Sequence, residues 1–282
     1  MLIAQVTDIH LGFDPHDPNE LNARRFEQVI AHLERRRVAP DLMIVTGDIA
    51  AHGDERSYRR VVDRLAALPF PVHHALGNHD LRAPYRAAVP DAPSVDGFLQ
   101  YAVDAGPLRL LVLDTLAEGR HGGSFCETRA AWLRAELARH PDRPTILFMH
   151  HPPFDTGIEW MTTVADEPWV RLFEAAIAEA PQIRAVAAGH IHRPITTSRR
   201  GVPMIVCPSS APAVALTLAP MDPERPDERP LVTTEPPGYG LHLWRGGQLV
   251  SHVVWAVDYP ALARFDERMT GLVRHLKDER PA

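Results

Sequence analysis

Met1-Leu2-Ile3-Ala4-Gln5-Val6-Thr7-Asp8-Ile9-His10 runs from apolar residues directly into an aspartate and a histidine two positions apart. Leu2 to Thr7 has the length and composition of a buried strand, so Asp8 and His10 fall at its carboxyl end. The same phrase recurs along the chain. Leu42-Met43-Ile44-Val45-Thr46 leads into Gly47-Asp48, and a strand from about Val72 to Leu76 leads into Gly77-Asn78-His79-Asp80. Thr145-Ile146-Leu147-Phe148-Met149 leads into His150-His151-Pro152-Pro153, and Ile183 to Ala188 leads into Gly189-His190-Ile191-His192. Helical patterns separate these strands. The fold class is therefore α/β, with right-handed crossovers, a largely parallel sheet and an active site in the loops beyond the strands' carboxyl ends.

Between the first two motifs, Phe26, Val29, Ile30 and Leu33 recur at helical spacing, with Asn19 as the expected N-cap. Arg35, Arg36 and Arg37 then sit where the helix dipole is negative, and are read as solvated helix-end charges. Tyr58, Val61, Val62, Leu65 and Leu68 mark a second helix. Further strands are expected at Phe98 to Val103, Leu108 to Leu113 and Pro203 to Cys207, and helices at Glu127 to Arg139 and Trp169 to Glu179. The catalytic core, residues 1–210, closes there. Residues 211–282 read as a proline-rich loop between Leu218 and Gly240, a hairpin turning at Gly246-Gly247, and a C-terminal helix from Tyr259 to Leu276. This extension is expected to complete the architecture and to supply a contact between subunits in a homodimer or higher homo-oligomer.

Composition narrows the partners. A formal charge of -6 provides no general attraction for nucleic acid or anionic membrane, so a phosphate-bearing substrate must be drawn by a local positive centre. Two cysteines, Cys126 and Cys207, make no disulfide framework and are read as thiols in or near the core. With neither a signal-peptide pattern nor a long uninterrupted apolar run, the expected location is the cytoplasm.

The residue types state the chemistry. A metal ion that binds an anionic oxygen and activates water needs carboxylates to hold it, neutral imidazoles that leave its charge uncancelled, and an open position. Asp8, His10, Asp48 and His192 can form one such site. Asn78, His150 and His190 can form a second, with Asp48 shared between the two. Two divalent ions held by two carboxylates leave the pocket positive, and ions bridged by one carboxylate stand roughly 3.5–4 Å apart, close enough to share an activated water. Mixed oxygen and nitrogen donors admit Mn, Fe, Zn or Co. Alternation along an extended Gly189-His190-Ile191-His192 segment is expected to aim both imidazoles to one side, each toward a different ion. His79, beside the ligand Asn78, is expected to face the substrate phosphate as stabiliser or general acid, with Asn78 also touching substrate, and Asp80 to orient a neighbour. His73 and His74 read as structural and His151 as a support at most, while Phe13, Phe154 and Trp160 are candidates for an apolar rim.

The ordered set of five motifs resembles the calcineurin-like metallophosphoesterase family, over residues 1 to about 210. Residues 1–10, the Phe148-Met149-His150-His151-Pro152-Pro153 run and Pro236-Pro237-Gly238-Tyr239 are similar to the bacterial branch of class III cyclic-nucleotide phosphodiesterases and glycerophosphodiesterases. The resemblance implies a β-sandwich flanked by helices, and hydrolysis of small phosphodiesters by attack of a metal-bridging hydroxide on phosphorus with Asp48 and His79 as catalytic residues. The alternatives are another phosphoesterase activity on the same fold, such as a phosphomonoesterase, a nuclease, or a nucleotide or lipid-precursor pyrophosphatase, and a metal-free binding module. A nuclease calls for a basic groove. The lipid-precursor branch usually resembles Gly-Asn-Arg-Asp where this chain has Gly77-Asn78-His79-Asp80.

Overall fold

The apolar runs before the motifs form strands whose two faces enter different cores. A computed structural model describes residues 1–161, 163–164 and 166–279. The chain runs through β1 (Leu2–Val6), α1 (Leu21–Glu34), β2 (Leu42–Thr46), α2 (Glu55–Ala66), β3 (Val72–Ala75), α3 (Arg82–Ala88), β4 (Tyr101–Ala105) and β5 (Leu108–Val112). It continues through α4 (Glu127–Arg139), β6 (Thr145–Phe148), α5 (Pro168–Ile177), β7 (Ile183–Ala188), β8 (Ile195–Arg199) and β9 (Val202–Val206). The last part holds β10 (Ala213–Val214), β11 (Val232–Thr233), β12 (Gly238–Arg245), β13 (Gln248–Trp255), a 3-10 turn at Glu267–Met269 and α6 (Thr270–Asp278).

Two large sheets result, ordered β13-β12-β1-β2-β3 and β4-β5-β6-β7-β9-β8. Their inner faces meet in one core, where Ile3, Leu42 and Ile44 of the first sheet pack with Leu108, Leu110, Ile146, Phe148, Ala185 and Ala187 of the second. The intervening residues point outward. Ala4, Val6, Met43 and Val45 join Phe26, Val29 and Ile30 of α1 and Tyr58, Val61 and Leu65 of α2, while Leu147, Val186 and Ala188 join Leu133 of α4 and Phe173 of α5. Period-two alternation buried on both faces produces four layers, helices over sheet over sheet over helices, in place of a single sheet. This is the helix-flanked β-sandwich expected of the sequence.

The second sheet is parallel at its centre and antiparallel at both edges, whereas the first is parallel from β1 to its β3 edge and antiparallel on the β12-β13 side. β1-β2-β3 and β5-β6-β7-β9 run parallel, so β1, β2 and β3 deliver their carboxyl ends to one rim of the first sheet and β6 and β7 theirs to one rim of the second. β12 pairs antiparallel with β1 through Leu2↔Leu243, Ile3↔His242, Ala4↔Leu241 and Gln5↔Gly240, so the C-terminal hairpin completes the first sheet.

Two local expectations are corrected, and two further elements lack a sequence signal. α1 begins after Glu20, not Asn19, because the buried Glu20 carboxylate turns back to accept the backbone N–H groups of Gly12 (2.5 Å) and Asp14 (2.6 Å) and ties down the first motif loop. The C-terminal helix is confined to Thr270–Asp278; Pro260 disfavours helix near Tyr259, and none of the residues of α6 is buried, so packing adds nothing to extend it. α3 passed unread because Pro84 lies in its first turns. β8 passed unread because Thr196-Thr197-Ser198 carry no apolar alternation on a sheet edge.

Candidate metal centre

Three of the five motifs, at Asp8 to His10, Gly47-Asp48 and His190 to His192, leave their strands through a backbone that ordinary residues avoid. Asp8 (φ 52°), His10 (48°), Asp48 (50°), His190 (72°) and His192 (56°) all sit in the left-handed region, at about 1 kcal/mol or more apiece. The bends turn five candidate ligands toward one point instead of letting them alternate. The 189–192 segment is accordingly bent rather than extended, which corrects the expectation that strand alternation aims His190 and His192. Gly47 (φ 94°) has no room for a side chain, since a Cβ there would stand 2.6 Å from His150 Nδ1.

The side chains converge on two carboxylates. Asp48 Oδ2 lies 3.4 Å from His10 Nε2 and 3.3 Å from His150 Nε2, while Asp8 Oδ1 lies 3.3 Å from His192 Nε2 and 4.0 Å from both His10 and His150. Asn78 Oδ1 is 3.1 Å from His150 Nε2, and His10 and His192 bring their Nε2 atoms within 3.1 Å. The His190 ring meets the His150 ring edge-on, with centroids 5.1 Å apart. Asp8 with His10 and His192, and Asp48 with Asp8 and His150, form donor sets whose atoms lie within 4.8 Å of one another.

The donor chemistry fits cations. His150 Nδ1 is 2.8 Å from the Thr46 carbonyl and His192 Nδ1 2.7 Å from the Pro212 carbonyl, so each must carry its hydrogen there and present a lone pair at Nε2. The His150 lone pair then faces the Asn78 amide oxygen and the Asp48 carboxylate, three acceptors that need a positive charge among them. Burial outweighs its charged neighbours in lowering His10 to about 4 and His190 well below the usual histidine range, so both imidazoles are neutral, the form a ligand needs. Burial also opposes ionisation of Asp48, but His150 and His10 override it and hold the carboxyl well below its usual value. His150 is raised to about 9 against its burial, chiefly by the Asp48 charge, a proton occupying what a metal would otherwise satisfy.

Around this centre the supports are equally specific. Asp80 accepts N–H groups from Gly77 (2.9 Å), Ile49 (3.1 Å) and Ala50 (3.2 Å), linking the second and third motif loops. Asn22 Nδ2 donates to the His10 carbonyl (3.0 Å), and Arg25 donates to the carbonyls of Ser210, Ala211 and Glu235, fastening α1 to the C-terminal segment. His79 is exposed, its Nδ1 3.0 Å from the Ala51 carbonyl and its ring edge-on to His10 at 4.6 Å, and one of its ring nitrogens lies within 4.8 Å of donor atoms of His10 and Asp48.

Other sequence candidates fall elsewhere. Phe154 and Trp169 are buried in the α4–α5 core with Trp160 packed against it, so the apolar rim loses Phe154, and Phe13 is left exposed beside His52. His74 bonds the Tyr85 hydroxyl inside β3. His151 is engaged at both ring nitrogens, by Thr115 and by the His121 carbonyl. Cys207 is buried with Sγ on the Gln5 carbonyl, Cys126 is half-buried at the start of α4, and both are free thiols. His121 itself was missed. It lies beyond the carboxyl end of β5, and the strand-end rule that located the motifs could have found it.

The model of the calcineurin-like phosphoesterase family matches residues 1–194. The chain belongs to this family. Among curated members, a probable cyclic nucleotide phosphodiesterase of Rhodopseudomonas palustris is 35% identical over 234 residues, covering 77% of this chain and 81% of that protein. The glycerophosphodiester phosphodiesterase GpdQ of Enterobacter lignolyticus is 30% identical over 280 residues, 96% of each chain. The 3',5'-cyclic adenosine monophosphate phosphodiesterase CpdA of Escherichia coli K12 is 28% identical over 217 residues, 74% of this chain and 75% of that one. In fold, a dimetal phosphatase from Danio rerio superposes with a TM-score of 0.63 at 17% identity, over 92% of this chain and 97% of that chain. A calcineurin-like phosphoesterase carrying these His and Asp donors is suited to divalent ions.

Proposed function

We propose that this calcineurin-like phosphoesterase is a metal-dependent phosphodiesterase of small diesters, cyclic nucleotides or glycerophosphodiesters. The observation that carries the reading is the single Asp48 oxygen standing between His10 (3.4 Å) and His150 (3.3 Å), the arrangement a carboxylate shared by two ions requires. Its supports include the curated relatives named as phosphodiesterases of both substrate classes.

Asp8, His10, Asp48 and His192 would hold one ion, and Asp48, Asn78, His150 and His190 the other. Two such ions supply an activated water and positive charge for the phosphoryl oxygens. The chain supplies the rest. Asn78, half-exposed beside His150, presents its amide to a non-bridging oxygen. His79, with its Nδ1 hydrogen committed to the Ala51 carbonyl, holds Nε2 for the leaving alkoxide oxygen, and in the imidazolium form, with a second hydrogen on Nε2, can stabilise or protonate it there. A poor leaving group needs that help more than a good one does, which favours alkyl and cyclic diesters.

Mn, Fe, Zn or Co suits the donor set. We place the enzyme in the cytoplasm, consistent with two free thiols; among the described residues no helix is long and apolar enough to cross a membrane. Residues 1–210 are taken as the catalytic core and 211–282, whose last three residues lie outside those described, as the extension that completes the sandwich and contributes to a homodimer or larger assembly. Nucleic acid is not an expected substrate at a net charge of -6.

Hydrolysis of bis-aryl and mono-aryl phosphates by one metal-loaded preparation tests the reading. The diester should have the higher kcat/KM. A monoester preference of about tenfold, ~1.4 kcal/mol in transition-state binding, would sink it in favour of a phosphomonoesterase.

A further inference from the structure

The loop between β5 and α4 carries a histidine that the two-ion reading leaves unused. Its sequence is Ala117-Glu118-Gly119-Arg120-His121-Gly122-Gly123-Ser124, and it leaves the second sheet beyond the carboxyl end of β5, beside the ends of β6 and β7 that deliver His150 and His190.

This loop is held at several points. Ser124 N–H donates to the Thr115 carbonyl at 2.9 Å, and the Arg129 guanidinium donates to Ser124 Oγ at 3.0 Å. His151 Nε2 lies 3.2 Å from the His121 carbonyl, which can only accept, so Nε2 carries the hydrogen and Nδ1 accepts from the Thr115 hydroxyl at 2.8 Å. Gly123 passes so close that an added Cβ would stand 2.9 Å from His151 Cβ and 3.0 Å from the Trp169 ring. The buried His151 is thus a strut, and what it positions is His121.

The His121 ring rests on His190, with centroids 4.7 Å apart. The His79 ring rests on His10 at 4.6 Å. Each exposed imidazole therefore packs against a different buried candidate ligand. Among the described residues, no cluster of three or more donor atoms within 4.8 Å includes His121, so it is not placed as a ligand.

We propose that His121 is a substrate-contacting residue that donates its imidazole N–H to a phosphoryl or ester oxygen on the His190 side of the site, His79 being on the His10 side. The proposal rests on the phosphodiesterase reading. His79 serves the leaving oxygen, and His121 holds the part of the phosphate that remains on the product. A neutral imidazole always has one N–H, and a hydrogen bond to an anionic oxygen is stronger than one between neutral groups.

The test compares wild type, His121→Ala and His121→Asn, each loaded with manganese. Metal content is measured by elemental analysis, kcat and KM with a bis-aryl phosphate, and affinity for inorganic phosphate by calorimetry. His121→Ala should keep the wild-type metal content and melting temperature. It should raise KM and weaken phosphate binding by about tenfold, the scale of one hydrogen bond to a charged group, with a smaller loss in kcat. His121→Asn, whose amide also donates, should recover part of both. Unchanged KM and phosphate affinity in His121→Ala would overturn the proposal, and so would loss of metal, which would make His121 a ligand or its support. If wild type fails to cleave the diester, the phosphodiesterase reading falls, while the phosphate titration still decides whether His121 binds the anion.

Discussion

The backbone N–H of His79 donates to Oδ1 of Asp48 at 2.9 Å, so the residue proposed to meet the leaving group also orients the carboxylate proposed to bridge the ions. With Oδ1 occupied, Oδ2 is the atom left to face His10 and His150.

That bond separates two substitutions. In Asp48→Asn the amide oxygen must stay on the His79 N–H, which turns the NH2 group toward the ligand imidazoles and weakens both ion sites. His79→Ala keeps its N–H and should keep both ions while losing kcat by roughly 10²–10⁴-fold, the usual span for a general acid. Elemental analysis beside steady-state kinetics checks the pair. Metal loss in His79→Ala would reassign that residue as a ligand.

Acid sensitivity should have one source in a buried histidine outside the candidate ligands. His242, between Gln5 Oε1 (3.0 Å) and Ser251 Oγ (2.8 Å), is lowered to about 4 by burial and then by His252. Below pH 6.5 the unfolded chain takes up a proton that the folded chain refuses until about 4, so stability falls as pH drops through that window and levels off beneath it. The full difference is about 3 kcal/mol for a histidine displaced this far. Urea denaturation from pH 7 to 4 should show a shallower decline for His242→Gln than for wild type; parallel declines would contradict the assignment.

Asp114→Ala should destabilise the fold strongly. The fully buried carboxylate accepts from Arg82 Nε (2.9 Å) and Nη2 (2.7 Å) and from the N–H groups of Leu99 (2.8 Å) and Leu116 (3.0 Å), with Arg129 at 3.8 Å. Removing it takes the buried counter-charge from Arg82 and the acceptor from two backbone N–H groups, about 3–5 kcal/mol for a broken buried pair. A loss below 1 kcal/mol by chemical denaturation would show that water replaces the carboxylate.

The proposed subunit contact is open to a mass measurement. β13 is an edge strand with Val250 and Val253 exposed, and unpaired strand edges recruit other strands. Light scattering should give at least twice the monomer mass for wild type, and a smaller mass for the double substitution Val250→Lys and Val253→Lys. A monomeric wild type ends the idea.

The sequence by itself determined which residues meet and roughly where the strands lie. Apolar runs of strand length ending in Asp, Asn and His state both burial and chemistry, so Asp8, Asp48, Asn78, His150 and His190 could be read in order without coordinates. α4 was legible at both ends because its helical pattern lies between clear strands. Local patterns carry no record of which strand pairs with which, so the division into two sheets and the antiparallel pairing of β12 with β1 were decided only by tertiary packing. The aim of the ligands was decided there as well. Strand alternation places side chains by period, whereas the left-handed bends at Asp8, His10, Asp48, His190 and His192 depend on long-range bonds, such as the His190 N–H on the Asp8 carboxylate at 3.0 Å. His121 shows the same limit. Its neighbours in sequence are a glycine-rich loop, and it becomes a candidate for the site only because His151, thirty positions away, holds its carbonyl.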